Sequence, residues 1–268
     1  LVAGAGGGGG KVGGLTQNQN APPLLFTCYG AYGHPVDTSY RSYWQPWLDR
    51  GGIIAFAHIR GGGELGLRWH NAGSGMNKIK SVQDSETSLI HCQELLGISA
   101  QKTAVLGVSA GAIAIAGLCE RQPQRMRCAV LRLPFLDVLN AMLDDSVPLN
   151  AHEQEEFGNP RSSAAALDSI LSIDPYYNLP ASLKRLSPLL ANDQDNCLSH
   201  MLISTAMNDS RVPAWIPLKF LARIRKAQQE DPILREKLTV LLQLIESGHN
   251  IYTGDAMKEM GFILHALK

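Results

Sequence analysis

A continuous uncharged run, rich in apolar residues, spans Thr103–Cys119, TAVLGVSAGAIAIAGLC. It is shorter than the roughly 20 apolar residues needed to cross a bilayer. Gly107, Ser109 and Gly111 interrupt its middle. A run broken this way reads as a strand (Thr103–Val108), a sharp turn and a helix (Gly111–Glu120). Other apolar runs of strand length recur along the chain: Leu24–Cys28, Gly52–Ile59, Cys128–Leu133, Met201–Ala206 and Leu238–Ile245. Helical spacing lies between or after them at 83–96, Trp215–Gln229 and Asp255–Leu267, with Asp84 and Glu86 expected in the first turn of the 83–96 helix and Gly97 beyond its end. Strands apolar on both faces that alternate with helices predict a mostly parallel sheet covered on both sides, an α/β fold.

Composition removes several functional classes. Lys+Arg and Asp+Glu both number 24, so the basic excess of a nucleic-acid binder is missing. Cys28, Cys92, Cys119, Cys128 and Cys197 form an odd, scattered set without a Cys-x-x-Cys pair. That argues against a disulfide scaffold or structural zinc and fits a reducing, cytoplasmic compartment. No H-E-x-x-H string is present, so metal-dependent hydrolysis is not expected, and no cofactor is implied. No transmembrane segment is expected. Residues 1–20 are Gly-rich and then polar, and are expected to be a disordered tail preceding a single domain over 21–268. Residues 137–196, rich in Asn, Asp, Pro and helix formers, break the strand–helix rhythm and are expected to be a cap-like insertion.

Gly107-Val108-Ser109-Ala110-Gly111 matches G-x-S-x-G in the strand–turn–helix setting that such a nucleophile motif requires. A serine hydroxyl is protonated at neutral pH and needs a base, and the base needs an orienting acid. Asp209 follows the strand Met201–Ala206, and His249 follows Leu238–Ile245. Their order after Ser109 is that of an α/β-hydrolase triad. The amide of Ala110 would face a developing oxyanion. Each residue alone has a bland alternative: a buried turn serine, a turn aspartate, one of eight histidines.

Longer motifs add a resemblance. Tyr29-Gly30-Ala31-Tyr32-Gly33, Arg60–His70 (RGGGELGLRWH), the Ser109 elbow and Arg211-Val212-Pro213 resemble the catalytic α/β-hydrolase domain of the prolyl oligopeptidase family. Residues 135–140 (FLDVLN) and 155–160 (EEFGNP) narrow this to its prolyl endopeptidase-like branch, related to oligopeptidase B. The resemblance implies a Ser109–His249–Asp209 triad and an oxyanion hole completed by the Tyr29 hydroxyl. It implies that Arg211 holds a substrate carbonyl, and that Arg60 and Glu64 hold the Gly-rich loop together. Glu153 and Glu155 match the acidic pair that selects basic residues, although EQEE also reads as a solvated turn. No aromatic stands near Ser169, where proline-specific relatives carry one. The family also implies a β-propeller ahead of this domain, so the chain is expected to be a C-terminal portion of a longer protein.

For function, the branch implies a serine hydrolase acting on esters or thioesters, depalmitoylase-like, with weak peptidase activity. The alternatives are an oligopeptidase cleaving after basic residues, and an interaction protein with dispensable catalysis. The last would bind clathrin adaptor proteins and be associated with the Golgi.

Overall fold

The structure is a computed structural model that describes residues 21–144, 150–192 and 197–268. The expected tail at 1–20 and parts of the expected insertion, 145–149 and 193–196, lie outside the described residues.

Among the described residues, six strands form one parallel sheet: β1 (Leu24–Cys28), β2 (Ile53–Ala57), β3 (Thr103–Val108), β4 (Cys128–Arg132), β5 (His200–Ala206) and β6 (Thr239–Ile245). Their order is β2-β1-β3-β4-β5-β6, and every pairing is parallel. The sequence reading located all six. The chain runs outward from β1 to β2, then returns to place β3 on the other side of β1. This reversal makes a switch point between β1 and β3. In open parallel sheets the crevice beyond the carboxyl ends of such strands is where ligands bind.

The helices are α1 (Gln45–Leu48), α2 (Leu67–Asn71), α3 (Ile79–Leu96), α4 (Gly111–Arg121), α5 (Val138–Leu143), α6 (Asn150–Phe157), α7 (Ala164–Ile173), α8 (Pro175–Asn192), α9 (Trp215–Glu230), α10 (Pro232–Lys237) and α11 (Thr253–Ala266). Successive strand residues point to opposite faces, and both faces are covered. Leu24, Phe26, Val105, Ala129, Leu131 and Ile203 enter the larger core with α3, α4, α8 and α9. Leu25, Ile54, Ala104, Leu106, Val130 and Leu202 enter the smaller one, against Trp44, Trp47, Met260 and Ile263. Hence every residue of β1 and β4 is buried, and apolar residues dominate both, with Thr27 and Arg132 the polar exceptions.

The boundary that departs most from the sequence expectation is the start of α3. Helix α3 starts at Ile79, so Asp84 and Glu86 are not in its first turn. The extra turn packs Val82 onto α4 where a side chain on Gly117 would lie 2.7 Å from Val82 Cγ1. Asp84 instead accepts from the Arg60 amide and guanidinium, at 2.9 and 2.7 Å. Glu64 accepts from the Val36 amide at 3.0 Å. Gly97 ends α3 in the left-handed conformation, φ 63°.

Residues 137–196 contribute two kinds of structure. Helices α7 and α8 pack beside α3, α4 and α9 and extend the helical layer. Helices α5 and α6 pack on each other, and α6 contributes to a cleft at the carboxyl end of the sheet.

Candidate active site

Ser109 sits between β3 and α4 with φ 52°, a left-handed conformation that costs a non-glycine residue roughly 1–3 kcal/mol. The surrounding backbone holds it there. Its amide donates to the Arg132 carbonyl at 2.9 Å, and its carbonyl accepts from the amides of Ala112 and Phe135, both at 3.1 Å. Small neighbours are required. A side chain on Gly111 would lie 2.9 Å from the Cys28 carbonyl oxygen and 3.0 Å from Tyr29 Cα. The glycine therefore lets the end of β1, with Tyr29, approach the start of α4.

The three residues expected to act together do meet. Ser109 Oγ lies 2.9 Å from His249 Nε2, and His249 Nδ1 lies 2.7 Å from Asp209 Oδ2. With the proton on Nδ1, His249 donates to Asp209 and accepts from the serine hydroxyl. Asp209 has its side chain 1% exposed. Its other oxygen accepts from the amides of Arg211 and Val212 at 2.8 and 2.9 Å. Burial pushes this carboxyl upward, but the bonds from His249, Val212 and Arg211 outweigh it and hold Asp209 below the usual carboxylate range. It is therefore ionised at neutral pH, as an orienting acid must be.

Tyr29 and Ala110 flank Ser109 on the wall of the same cleft, whose volume is about 560 Å³. Ala110 lies at the N-terminal end of α4, where helix amides carry partial positive charge. Burial pushes the Tyr29 hydroxyl up to about 12, with Glu153 and Glu156 adding to the rise and Arg211 opposing it. It is a hydrogen-bond donor throughout the neutral range.

Helix α6 brings Glu153 and Glu155, which the sequence reading singled out, into the lining of the same cleft, together with Glu156. Glu155 is exposed. Glu153 Oε2 accepts from the Tyr32 hydroxyl at 2.6 Å. Burial, then the Glu153 charge, pushes that hydroxyl far above its ordinary value. Arg211 is exposed at the rim, and His34, His70, Phe135 and Val212 complete the lining.

Sequence reasoning gave Tyr32, His70, Glu156 and Lys78 no role. The first three lay inside the motifs it quoted. Glu156 is 2% exposed and bridges Lys78 Nζ at 2.5 Å and His70 Nε2 at 2.9 Å. Only the fold reveals that partnership, because Lys78 lies 78 positions upstream.

Among the described residues there is no group of three or more His, Cys, Asp or Glu side chains that could hold a metal ion. None of their helices is long and apolar enough to cross a membrane. The five cysteines are buried, and none is in a disulfide.

Comparison with known proteins agrees with this geometry. The model of the prolyl oligopeptidase family matches residues 38–262. The prolyl endopeptidase-like protein of Gallus gallus is 37% identical over 206 residues, which is 76% of this chain and 26% of that protein. Its counterpart in Macaca fascicularis is 39% identical over 218 residues, 80% of this chain and 28% of that one. The chain thus spans about a quarter of the length of these curated relatives. Among solved structures, oligopeptidase B from Trypanosoma brucei with covalently bound antipain superposes with a TM-score of 0.76 and 28% identity, covering 94% of this chain and 34% of that one. Oligopeptidase B from Leishmania major gives 0.74 and 27%, covering 94% and 33%. Family match, parallel sheet and strand–turn–helix serine agree, and this chain belongs to the prolyl oligopeptidase family.

Proposed function

We propose that this chain is a serine hydrolase that acts through an acyl-enzyme on Ser109, and that it prefers substrates with a cationic group on the acyl side. The observation that carries the reading is the hydrogen-bonded line Ser109–His249–Asp209 opening into a cleft walled by three carboxylates.

Ser109 Oγ attacks the substrate carbonyl while its proton passes to His249 Nε2. Asp209, ionised, holds the ring and stabilises the imidazolium. The carbonyl oxygen becomes an oxyanion that receives the Ala110 amide and the Tyr29 hydroxyl. Each such donor is worth roughly 10²–10³ in rate. The carbon–heteroatom bond then breaks, and the leaving group departs with the proton from His249. Water attacks the acyl-enzyme, gives a proton to His249 and restores Ser109.

The substrate preference follows from charge. Glu153, Glu155 and Glu156 face a cleft in which Arg211 is the guanidinium at the rim. A carboxylate accepts two parallel bonds from a guanidinium, the geometry an arginine side chain offers. The relatives named oligopeptidase B support reading that acid wall as a basic-residue pocket. Arg211, at the rim, is in reach of a substrate carbonyl. Esters and thioesters of the same acyl group react faster than amides because their leaving groups are better, which is the chemistry behind the ester and thioester expectation.

The test is turnover of four substrates by the purified chain and by Ser109→Ala: an arginine ester, an arginine amide, a neutral octanoyl ester and an octanoyl thioester. The expected result is turnover of the arginine compounds, ester faster than amide, abolished in the variant. Preferential turnover of the octanoyl pair would keep the serine chemistry and replace the cationic substrate with an apolar acyl chain. Rates equal to those of Ser109→Ala on all four would overturn the hydrolase reading.

A further inference from the structure

Two walls of the cleft come from distant parts of the chain. One is the turn Tyr29–Gly33 after β1, and the other is α6. Between them lies Lys78, 3% exposed. Its Nζ donates to the Gly30 carbonyl at 2.7 Å and to Glu156 Oε1 at 2.5 Å, and it lies 5.2 Å from the centre of the Phe157 ring. Gly30 has φ 64°, a left-handed conformation that favours glycine in this turn. Ser81 Oγ lies 3.4 Å from the same oxygen. Glu156 Oε2 takes His70 Nε2, whose ring lines the cleft.

We propose that Lys78 is a positioning residue for the reaction: one buried ammonium joins the Tyr29–Gly30 turn to α6 and so fixes the Tyr29 hydroxyl relative to Ser109. This rests on the hydrolase reading above. A buried ion pair adds little net stability over a well-packed apolar pair, while loss of one partner is costly. What the pair supplies here is direction. The ammonium orients the carbonyl immediately after Tyr29, and a donor misplaced by about 1 Å can cost roughly 10²-fold in rate. The same ammonium anchors Glu156, next in sequence to Glu155 and one helical turn from Glu153. The acid wall and the oxyanion donor are thereby held to one point.

The experiment is a double-mutant cycle read by phosphonylation of Ser109 with a fluorophore-tagged alkyl fluorophosphonate. In that reaction an Oγ–P bond forms, the P–F bond breaks, fluoride leaves and the serine proton passes to His249. The phosphoryl oxygen occupies the oxyanion position, so the rate reports the Tyr29 donor. Lys78→Met is expected to slow labelling by roughly tenfold or more in the parent chain and by less than about threefold in Tyr29→Phe. Lys78→Arg, which keeps a cation at the same place, is expected to recover most of the rate. Equal losses in both backgrounds would overturn the proposal, since a purely structural effect adds to that of Tyr29→Phe instead of vanishing. If Lys78→Met fails to fold, Lys78→Met with Glu156→Gln removes the unpaired carboxylate and takes its place in the cycle. If the parent chain labels no faster than Ser109→Ala, the hydrolase reading fails. The joining role is then decided by hydrogen exchange: faster exchange in both 29–33 and 153–157 of the paired variant supports it, and unchanged exchange in either segment overturns it.

Discussion

The Ser109 elbow and the α6 wall face each other across one cleft, yet they are held by different physics. The elbow is fixed by backbone. Its amide and carbonyl bonds run to Arg132, Ala112 and Phe135, and a missing side chain at Gly111 lets β1 come close. The wall is fixed by buried charge, with Glu156 held between Lys78 and His70. Backbone geometry is local and tolerant of the solvent around it. A buried ion pair joins segments far apart in sequence, and its strength depends on both partners keeping their charge. Damage to the two sides should therefore look different: chemistry lost without loss of stability on one, stability lost together with rate on the other.

The largest effect should come from Asp209→Asn. Asparagine can still accept from the amides of Arg211 and Val212, so the turn persists. Its amide nitrogen, however, would donate to His249 Nδ1 and enforce the wrong tautomer. The expected outcome is a fall in kcat of roughly 10⁴ with the fold retained, measured by steady-state kinetics beside circular dichroism. The linkage also has a sign. Asp209 in the folded protein lies below its unfolded value. It contributes stability above the unfolded value, and that contribution is lost as pH falls through the lowered one. The variant should lack this acid-side loss.

Glu156→Gln should do the reverse, with stability falling by about 3–5 kcal/mol because Lys78 is left buried without a counter-charge. Burial lowers Lys78 in the native protein, and the Glu156 charge opposes that fall. Without Glu156 the depression deepens, the unfolded state binds more protons, and stability rises with pH up to the unfolded lysine value near about 10.4. Thermal melts of both proteins between pH 7 and 10 check this. A deficit that is constant across that range would show that the charge of Lys78 does not respond to Glu156 and would leave the pair as a hydrogen bond whose strength does not depend on pH.

The same contrast explains what was legible in the sequence. All six strands were: those buried on both faces leave runs dominated by apolar residues, and the edge strand β6, partly open to solvent, still keeps five apolar residues in seven. Ser109 was legible because a strand, a left-handed turn and a helix require small residues at fixed places. Asp209 and His249 were legible from their positions after β5 and β6. The start of α3 was not, because the polar residues Lys80 and Ser81 mask a turn that the contact between Val82 and Gly117 stabilises. Glu156 was not either. In EQEE the three glutamates look alike, and only folding makes one 2% exposed and another open to solvent. A residue whose role is set by a partner 78 positions away leaves no local pattern.

The smallest expected effect tests whether the wall also selects. Glu153 Oε2 takes the Tyr32 hydroxyl, whereas Glu156 takes the Lys78 ammonium. Glutamine at 153 can still accept that bond, so packing and the Tyr32 orientation survive while the charge is lost. Partly exposed charge in a water-filled cleft is screened, so the change should be modest. On the cationic-substrate reading, Glu153→Gln lowers kcat/KM for an arginine ester by roughly five- to tenfold, about 1 kcal/mol, and leaves a neutral ester of the same alcohol unchanged. The ratio of the two rates cancels any general loss of active protein. A fall shared equally by both esters would assign Glu153 to the support of Tyr32 and the cleft wall, leaving Glu155 as the carboxylate that meets the substrate.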